Sequence, residues 1–347
     1  MRTSLLEILA CPACPREHES PLTLRKGQEE DGDVIEGELT CARCHTHFPI
    51  TRGVARFVRE DDDYCQNFGY QWQRWKDLQI DRLGNHDISE RRFFANAPWD
   101  REWLKGKLIL DAGCGAGRFT DIAAKYGARV ISCDISQAID ACRETTKVHG
   151  DRVNHFQASI YELPFKRSVF DAVFCFGVIQ HTPDPRKTME TLPAFLKPGG
   201  RLGYDFYEAT ASVKLGAIRL LLRHFTPALP VTTNLRLAQT LTAALFPIGA
   251  VWARIPLARN FIGLMPIAVV HDKRLSLKQE YLWTLLDTFD WYGPRYEIRQ
   301  KHPEVANLLK GLGLTDVKSR WGVASAKAPE APEASRAHES AQEDKHA

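Results

Sequence analysis

Leu108-Ile-Leu-Asp-Ala-Gly-Cys-Gly-Ala-Gly-Arg-Phe119 is an apolar run closed by Asp111 and followed by glycines at 113, 115 and 117. The pattern predicts a buried strand that ends in a tight turn and leads into a helix. Glycine serves where backbone must turn sharply and meet a ligand with no side chain between them, and the free amides of the helix start favour polar ligands. A second apolar stretch, Arg129 to Cys133, stops at Asp134. An acidic residue about twenty positions after the glycine turn, at the end of the next strand, suits ribose hydroxyls. Together these features predict an α/β nucleoside-binding unit.

The details of the turn discriminate between nucleosides. A dinucleotide fingerprint spaces its glycines Gly-x-Gly-x-x-Gly and seats a pyrophosphate there, whereas here the third glycine falls one place early. Asp111 would repel a pyrophosphate and could orient a cationic amino-acid end, which points to S-adenosylmethionine. The stretch closely resembles motif I of class I S-adenosylmethionine-dependent methyltransferases. Three further blocks stand in the order of that family: Tyr161-Glu-Leu-Pro-Phe165, Phe170-Asp-Ala-Val-Phe-Cys-Phe-Gly-Val-Ile-Gln-His-Thr-Pro-Asp184 and Leu196-Lys-Pro-Gly-Gly-Arg-Leu202. The resemblance implies a Rossmann-like α/β sheet over residues 107–325. It also implies a cofactor site in which Gly113, Gly115 and Gly117 line the methionine moiety, Asp111 lies near its amino group, and Asp134 with Ile135 holds the ribose. Ser159 and Ile160 would border the adenine, and Phe176 and Gly177 would flank the cofactor.

Two Cys-x-x-Cys knuckles, Cys11-Pro-Ala-Cys14 and Cys41-Ala-Arg-Cys44, are separated by 26 residues. Two such turns can present four thiolates to one tetrahedral Zn²⁺; unrelated thiol pairs or a redox motif are the alternatives. The surrounding Leu5-Leu-Glu-Ile-Leu-Ala-Cys-Pro12 and His47-Phe-Pro-Ile-Thr-Arg-Gly-Val54 resemble the zinc-ribbon activator protein that partners tRNA and protein methyltransferases, here fused in cis over residues 1–60. The chain departs from that pattern in a longer, charged loop from Pro15 to Glu38.

With 347 residues, 44% of them hydrophobic, the chain can bury one large core plus a satellite module. Cysteines 65, 114, 133, 142 and 175 bring the total to nine and fall mostly in predicted core elements, the pattern of a reducing compartment. No signal-peptide-like start and no apolar stretch of transmembrane length are read from the sequence, so a soluble cytoplasmic protein is expected.

Charge is unevenly placed. Residues 1–63 hold eight Lys or Arg against thirteen Asp or Glu, ending in the run Glu60-Asp-Asp-Asp63. A ribbon that gripped RNA should be basic, so no nucleic-acid partner is expected. Residues 209–271 contain no acidic residue and six Lys or Arg. Methyltransferases commonly insert a lid over the acceptor pocket at this point, and the insert is expected to decide the substrate. Its helically spaced apolar residues fit either a cap packed on the core or amphipathic helices resting at the periphery of an anionic membrane.

Residues 61–106 are rich in aromatics and read as a cofactor cover, with Tyr70 and Trp72 as pocket candidates. After the insert a helix is expected over Leu277 to Phe289, another over Glu304 to Leu312, and a last strand over Thr315 to Trp321. From 326 to 347 the composition turns to Ala, Glu, Pro, Ser and His, which predicts a disordered tail.

His181 is the best candidate for a proton acceptor, since it follows the fourth strand and histidine titrates near neutrality; a role in bracing its loop competes with this. Asp205, Asp287 and Asp290 are weaker alternatives. Phe176-Gly-Val-Ile179 lacks the Asn or Asp, Pro, Pro, aromatic pattern of enzymes that methylate base amines. The expected acceptor is therefore a small molecule, a glycan or a lipid-linked compound, methylated at oxygen. An RNA methyltransferase that uses the ribbon for binding, or a noncatalytic scaffold, is the alternative.

Overall fold

The computed structural model describes residues 1–58, 65–209 and 216–331; the acidic run Glu60–Asp63 and the tail beyond 331 lie outside them. The N-terminal part contributes four strands, β1 (Leu22–Glu30), β2 (Asp33–Cys41), β3 (His47–Thr51) and β4 (Val54–Arg56), joined as antiparallel hairpins. The expected charged loop of Pro15 to Glu38 is largely the β1–β2 hairpin. Its turn, Asp31-Gly32, has φ of 49° and 77°, the geometry of the two-residue turns that match strand twist.

Three helices follow, α1 (Gln66–Arg74), α2 (Asp81–Gly84) and α3 (Ile88–Asn96). The alternating part then runs β5 (Leu108–Ala112), α4 (Arg118–Lys125), β6 (Arg129–Asp134), α5 (Ala138–Thr146), β7 (Val153–Gln157), β8 (Phe170–Cys175), α6 (Pro185–Thr191) and β9 (Leu196–Asp205). Strands β7, β6, β5, β8 and β9 pair in parallel in that order. Helices on both faces bury them, which is why β5 and β8 read as continuous apolar runs rather than alternating ones.

The chain continues through α7 (Ala217–Phe225), α8 (Val231–Arg254), α9 (Leu277–Tyr292) and α10 (His302–Gly311) to β10 (Thr315–Arg320) and β11 (Val323–Lys327). Strand β11 inserts antiparallel between β9 and β10. This corrects the expectation of a tail from 326: Ala324, Ala326 and Ala328 are buried, and Lys327 pairs with Arg201.

The N-terminal strands do not form a separate module. Strand β4 pairs in parallel with β7, Ala55 opposite Phe156 and Arg56 opposite Gln157, so one eleven-stranded sheet runs from β1 to β10. The Phe57 amide extends the seam to the Gln157 carbonyl at 2.7 Å. Arg52 and Arg56 reach across it to opposite oxygens of Asp140 at 2.9 and 2.8 Å. The apolar cores merge as well: Leu39, Ile50 and Phe57 share one cluster with Phe156, Phe165 and Phe170.

The insert behaves differently from a lid. By length and composition α8 is apolar enough to cross a membrane, which the sequence reading had not expected. It lies instead along α9, with Leu235 and Ala238 packed on Leu285, Leu286 and Phe289.

Candidate active site

The C-terminal ends of β5, β6 and β8 open into a cavity of about 460 Å³. One end is formed by the backbone of 113–116, by Asp134 and Ile135 after β6, by Ile160, and by Phe176 and Gly177 after β8. Gly113 has φ +89°, and a Cβ there would come within 2.4 Å of Val178. Gly115 has φ +52°, and a Cβ there would press on the Trp72 indole at 3.1 Å. These two positions therefore need glycine both for backbone angle and for room. Trp72 of α1 closes the loop from above, whereas Tyr70 lies on the outer side of α1, 37% exposed, near Phe289.

Asp134 anchors this end. Its Oδ2 accepts the Gly115 amide at 2.9 Å, and its Oδ1 accepts the amide and hydroxyl of Ser136 at 2.8 and 2.7 Å. A carboxylate offers about four acceptor sites, so a ribose hydroxyl can still be bound. Burial pushes its carboxyl above the usual range, and these hydrogen bonds oppose that. Ile135 and Ile160 supply apolar walls of the kind an adenine needs.

Three expected contacts are placed elsewhere. Asp111 is buried behind the turn, where its Oδ2 accepts the Thr120 hydroxyl at 2.6 Å, and burial drives its carboxyl well above the ordinary value, favouring the neutral form. It does not line the cavity, so the interaction expected with a cationic amine is not the one its geometry offers. Gly117 faces α5, and a Cβ there would meet Cys142 and Thr146 at 2.9 Å. Its absent side chain lets turn and helix pack. The Ser159 hydroxyl accepts the Tyr161 amide and caps a helical turn.

The other end of the cavity is built by α1, α9 and the segment 270–272, with Phe68, Gln71, Trp283, Leu286, Asp287, Asp290, Trp291 and Tyr207 on its wall. Among the described residues, α7 and α8 contribute nothing to it. The shape of this end is thus set largely by α9, and among the described residues of the insert, which was expected to decide the substrate, only Val270 and His271 line it.

His181 lies on this wall, buried between the rings of Phe68 and Tyr207 at 5.1 and 5.5 Å. Its Nδ1 stands 3.0 Å from the Tyr296 carbonyl. A carbonyl can only accept, so Nδ1 carries the proton and the lone pair of a neutral ring sits on Nε2. Asp287 and Asp290 share the wall. Burial, with Asp290 nearby, lifts the Asp287 carboxyl to about 7, and burial also raises Asp290. Asp205 instead braces the site, accepting from Arg92, Asn96 and the Gly177 amide.

Sequence reasoning missed two cations that line the cavity, Arg92 and Arg118. Arg118, directly after the last glycine, lines the cavity, bonds the Ser89 hydroxyl at 2.8 Å and lies 5.3 Å from the Trp283 ring. Burial and the nearby Arg92 bring it down to about 9. Its place at the first turn of α4 was the available signal.

The four thiols of Cys11, Cys14, Cys41 and Cys44 lie within 4.8 Å of one another. The Cys11–Cys44 and Cys14–Cys41 sulfurs are each 3.7 Å apart. A tetrahedron of Zn–S bonds of about 2.3 Å has an edge of roughly 3.8 Å, so this all-sulfur set fits zinc. The Thr46 hydroxyl and amide hold the Cys44 thiol down to about 6, whereas burial and the neighbouring sulfurs push the Cys11 thiol up.

A parallel sheet with β5 at its centre, a glycine turn at the end of β5 and an acid at the end of β6 form the Rossmann-like arrangement that S-adenosylmethionine-dependent methyltransferases use, and the four-thiol knuckle is built as a zinc ribbon. Residues 110–203 match the family described as "Methyltransferase domain", and residues 2–53 match the "Trm112p-like protein" family. The ubiquinone biosynthesis O-methyltransferase of Coxiella burnetii (strain Dugway 5J108-111) is 35% identical over 103 residues, 29% of this chain and 44% of that protein. Its counterpart in Aromatoleum aromaticum is 32% identical over 152 residues, 43% of this chain and 63% of that protein. The matches thus span less than two thirds of these relatives. Among solved structures, the magnesium protoporphyrin IX methyltransferase of Synechocystis, with bound S-adenosylhomocysteine, aligns at TM-score 0.41 and 17% identity over 77% of this chain and 97% of that one.

Proposed function

We propose that the protein transfers the methyl group of S-adenosylmethionine to an oxygen of a small or lipid-linked acceptor. The observation that carries this reading is the single cavity that joins the glycine turn and Asp134 at one end to the aromatic and acidic wall of α9 at the other. Relatives named as O-methyltransferases support the choice of oxygen.

When bound, the cofactor supplies a methyl already activated on a sulfonium, so the chain's own task is positioning, exclusion of water and proton removal. Gly113 and Gly115 let backbone approach the cofactor's amino-acid part, Asp134 orients the ribose, and Trp72 covers the turn. Phe68, Trp283 and Leu286 present flat apolar surface to an aromatic or isoprenoid-bearing acceptor. His181 Nε2 takes the acceptor's hydroxyl proton, and Asp287 shares the wall. The ribbon acts in cis as a continuation of the sheet, its β4 edge already occupied by β7.

The test is calorimetric titration with S-adenosylmethionine of the wild type beside Asp134→Ala. Removing a hydrogen-bonded charge costs roughly 1.5–3 kcal/mol, about a ten- to hundredfold weaker Kd. An absence of binding in the folded, zinc-loaded wild type would defeat the proposal.

A further inference from the structure

Helix α7 is built inside out. Its arginines point into the protein: Arg219 bonds Glu297 at 2.7 Å and stacks 4.1 Å from the Trp291 ring, and Arg223 bonds the Trp291 carbonyl at 2.8 Å. Its apolar residues point outward, Ile218, Leu221 and Phe225 at helical spacing, the last two 65% and 61% exposed. A helix of a freely soluble domain shows the reverse. The end of α8 repeats the pattern with Ile248, Val251 and Ile255, and the turn over Ala258–Leu264 does so with Leu257, Phe261 and Leu264. Gly216, at the start of α7, would place a Cβ 3.8 Å from the Gly263 carbonyl, so the rows adjoin.

Cations border this face. Arg254, Arg259, Lys273 and Arg274 line an open concavity together with Ile262, and His271 and Asp272 belong both to it and to the active-site cavity. Arg254 is engaged by Glu280, and Arg274 by Asp87 and Asp272. Arg259 and Lys273 have no carboxylate partner among the described residues. No acidic residue occurs anywhere in 209–271. Apolar rows with a cationic border match the acyl boundary and phosphate layer of an anionic bilayer.

We infer that α7, the end of α8 and the 258–264 turn form a docking face for an anionic membrane, with Arg259 and Lys273 meeting lipid phosphates. The shared wall at His271 and Asp272 places the membrane beside the active-site cavity, so the acceptor arrives as a lipid. That last step rests on the methyltransferase reading; docking itself does not.

The experiment is co-sedimentation of the zinc-loaded full chain with phosphatidylcholine vesicles, with and without phosphatidylglycerol, for wild type, Leu221→Glu/Leu257→Glu and Arg259→Gln/Lys273→Gln. All four positions are exposed or border the concavity, and none bears on the proposed chemistry. Wild type should partition onto the anionic vesicles at least tenfold better than onto the neutral ones. The Gln pair should bind about thirtyfold more weakly, the factor for two cations at about 1 kcal/mol each, and the Glu pair should fail to bind. Equal sedimentation with and without vesicles, or unchanged partitioning in both variants, overturns the inference. So does a wild-type dimer that the Glu pair converts to monomer, which would assign the face to a second copy. Titration with S-adenosylmethionine on the same preparations separates the two proposals: docking without cofactor binding defeats the enzyme reading alone, and cofactor binding without docking defeats this one alone.

Discussion

Replacing Asp287 with Asn should make the fold more stable at alkaline pH and leave it nearly unchanged in acid. Asp287 sits half-buried on the cavity wall three residues before Asp290, and burial lifts its carboxyl from 3.8 to about 7. A carboxyl whose pKa is higher folded than unfolded favours the protonated protein. Measured against a neutral side chain, the penalty for burying its charge is absent below about 3.8, grows between that value and about 7, and is complete above. The shift of about three units sets a ceiling near 4 kcal/mol, at about 1.4 kcal/mol per unit. Water in the cavity screens a partly exposed group, so about 2 kcal/mol is expected. Urea midpoints of wild type and Asp287→Asn, measured from pH 4 to pH 8.5, should converge at the acid end and separate with the variant more stable at the other. A difference that stays constant across that range would refute the reasoning, because it would place the Asp287 titration outside the cavity's influence.

Cys41→Ser should lose about one equivalent of zinc by metal analysis and destabilise the whole chain in thermal melts, since structural zinc sites carry folding free energy. Gly113→Ala forces a side chain into a left-handed backbone and against Val178; a loss of roughly 1–3 kcal/mol in stability, with cofactor binding abolished, is the expected result of denaturation and calorimetry. Trp72→Ala uncovers the glycine turn, and loss of one large apolar contact, roughly 1.5–3 kcal/mol, should weaken the cofactor Kd by about ten- to a hundredfold without moving the melting temperature by more than a few degrees.

Features set by near neighbours in the chain were legible in the sequence. The strand and glycine turn of 108–117, the acid ending β6 and the paired Cys-x-x-Cys knuckles each carry their geometry within a few residues. The features that eluded it depend on distant partners. Nothing local in Val54-Ala-Arg56 announces that this three-residue strand will pair with β7 a hundred positions later. The alternation of Ala324 and Ala326 is too weakly apolar to reveal an inserted strand, although both are buried. Asp111 looked like a ligand because of its place in the motif; only the tertiary position of Thr120 and Ser132 shows that it faces away from the cavity. The Asp31-Gly32 turn was readable by its dipeptide and was hidden by the charge around it. The cavity wall opposite the glycine turn, finally, comes from a helix whose own pattern is simply that of a core helix.

The shared sheet gives the metal a significance beyond the ribbon. The first four strands cover the backbone edge of β7, where Phe156 and Gln157 would otherwise offer unpaired groups to any passing strand. A protein deprived of zinc would thus expose an adhesive edge beside an apolar core, and because Val54 of β4 packs with Cys114 of the glycine turn, it would loosen the cavity at the same time. The supply of one inorganic ion would thereby govern the solubility of the whole chain, although the ion lies far along the sheet from the cavity.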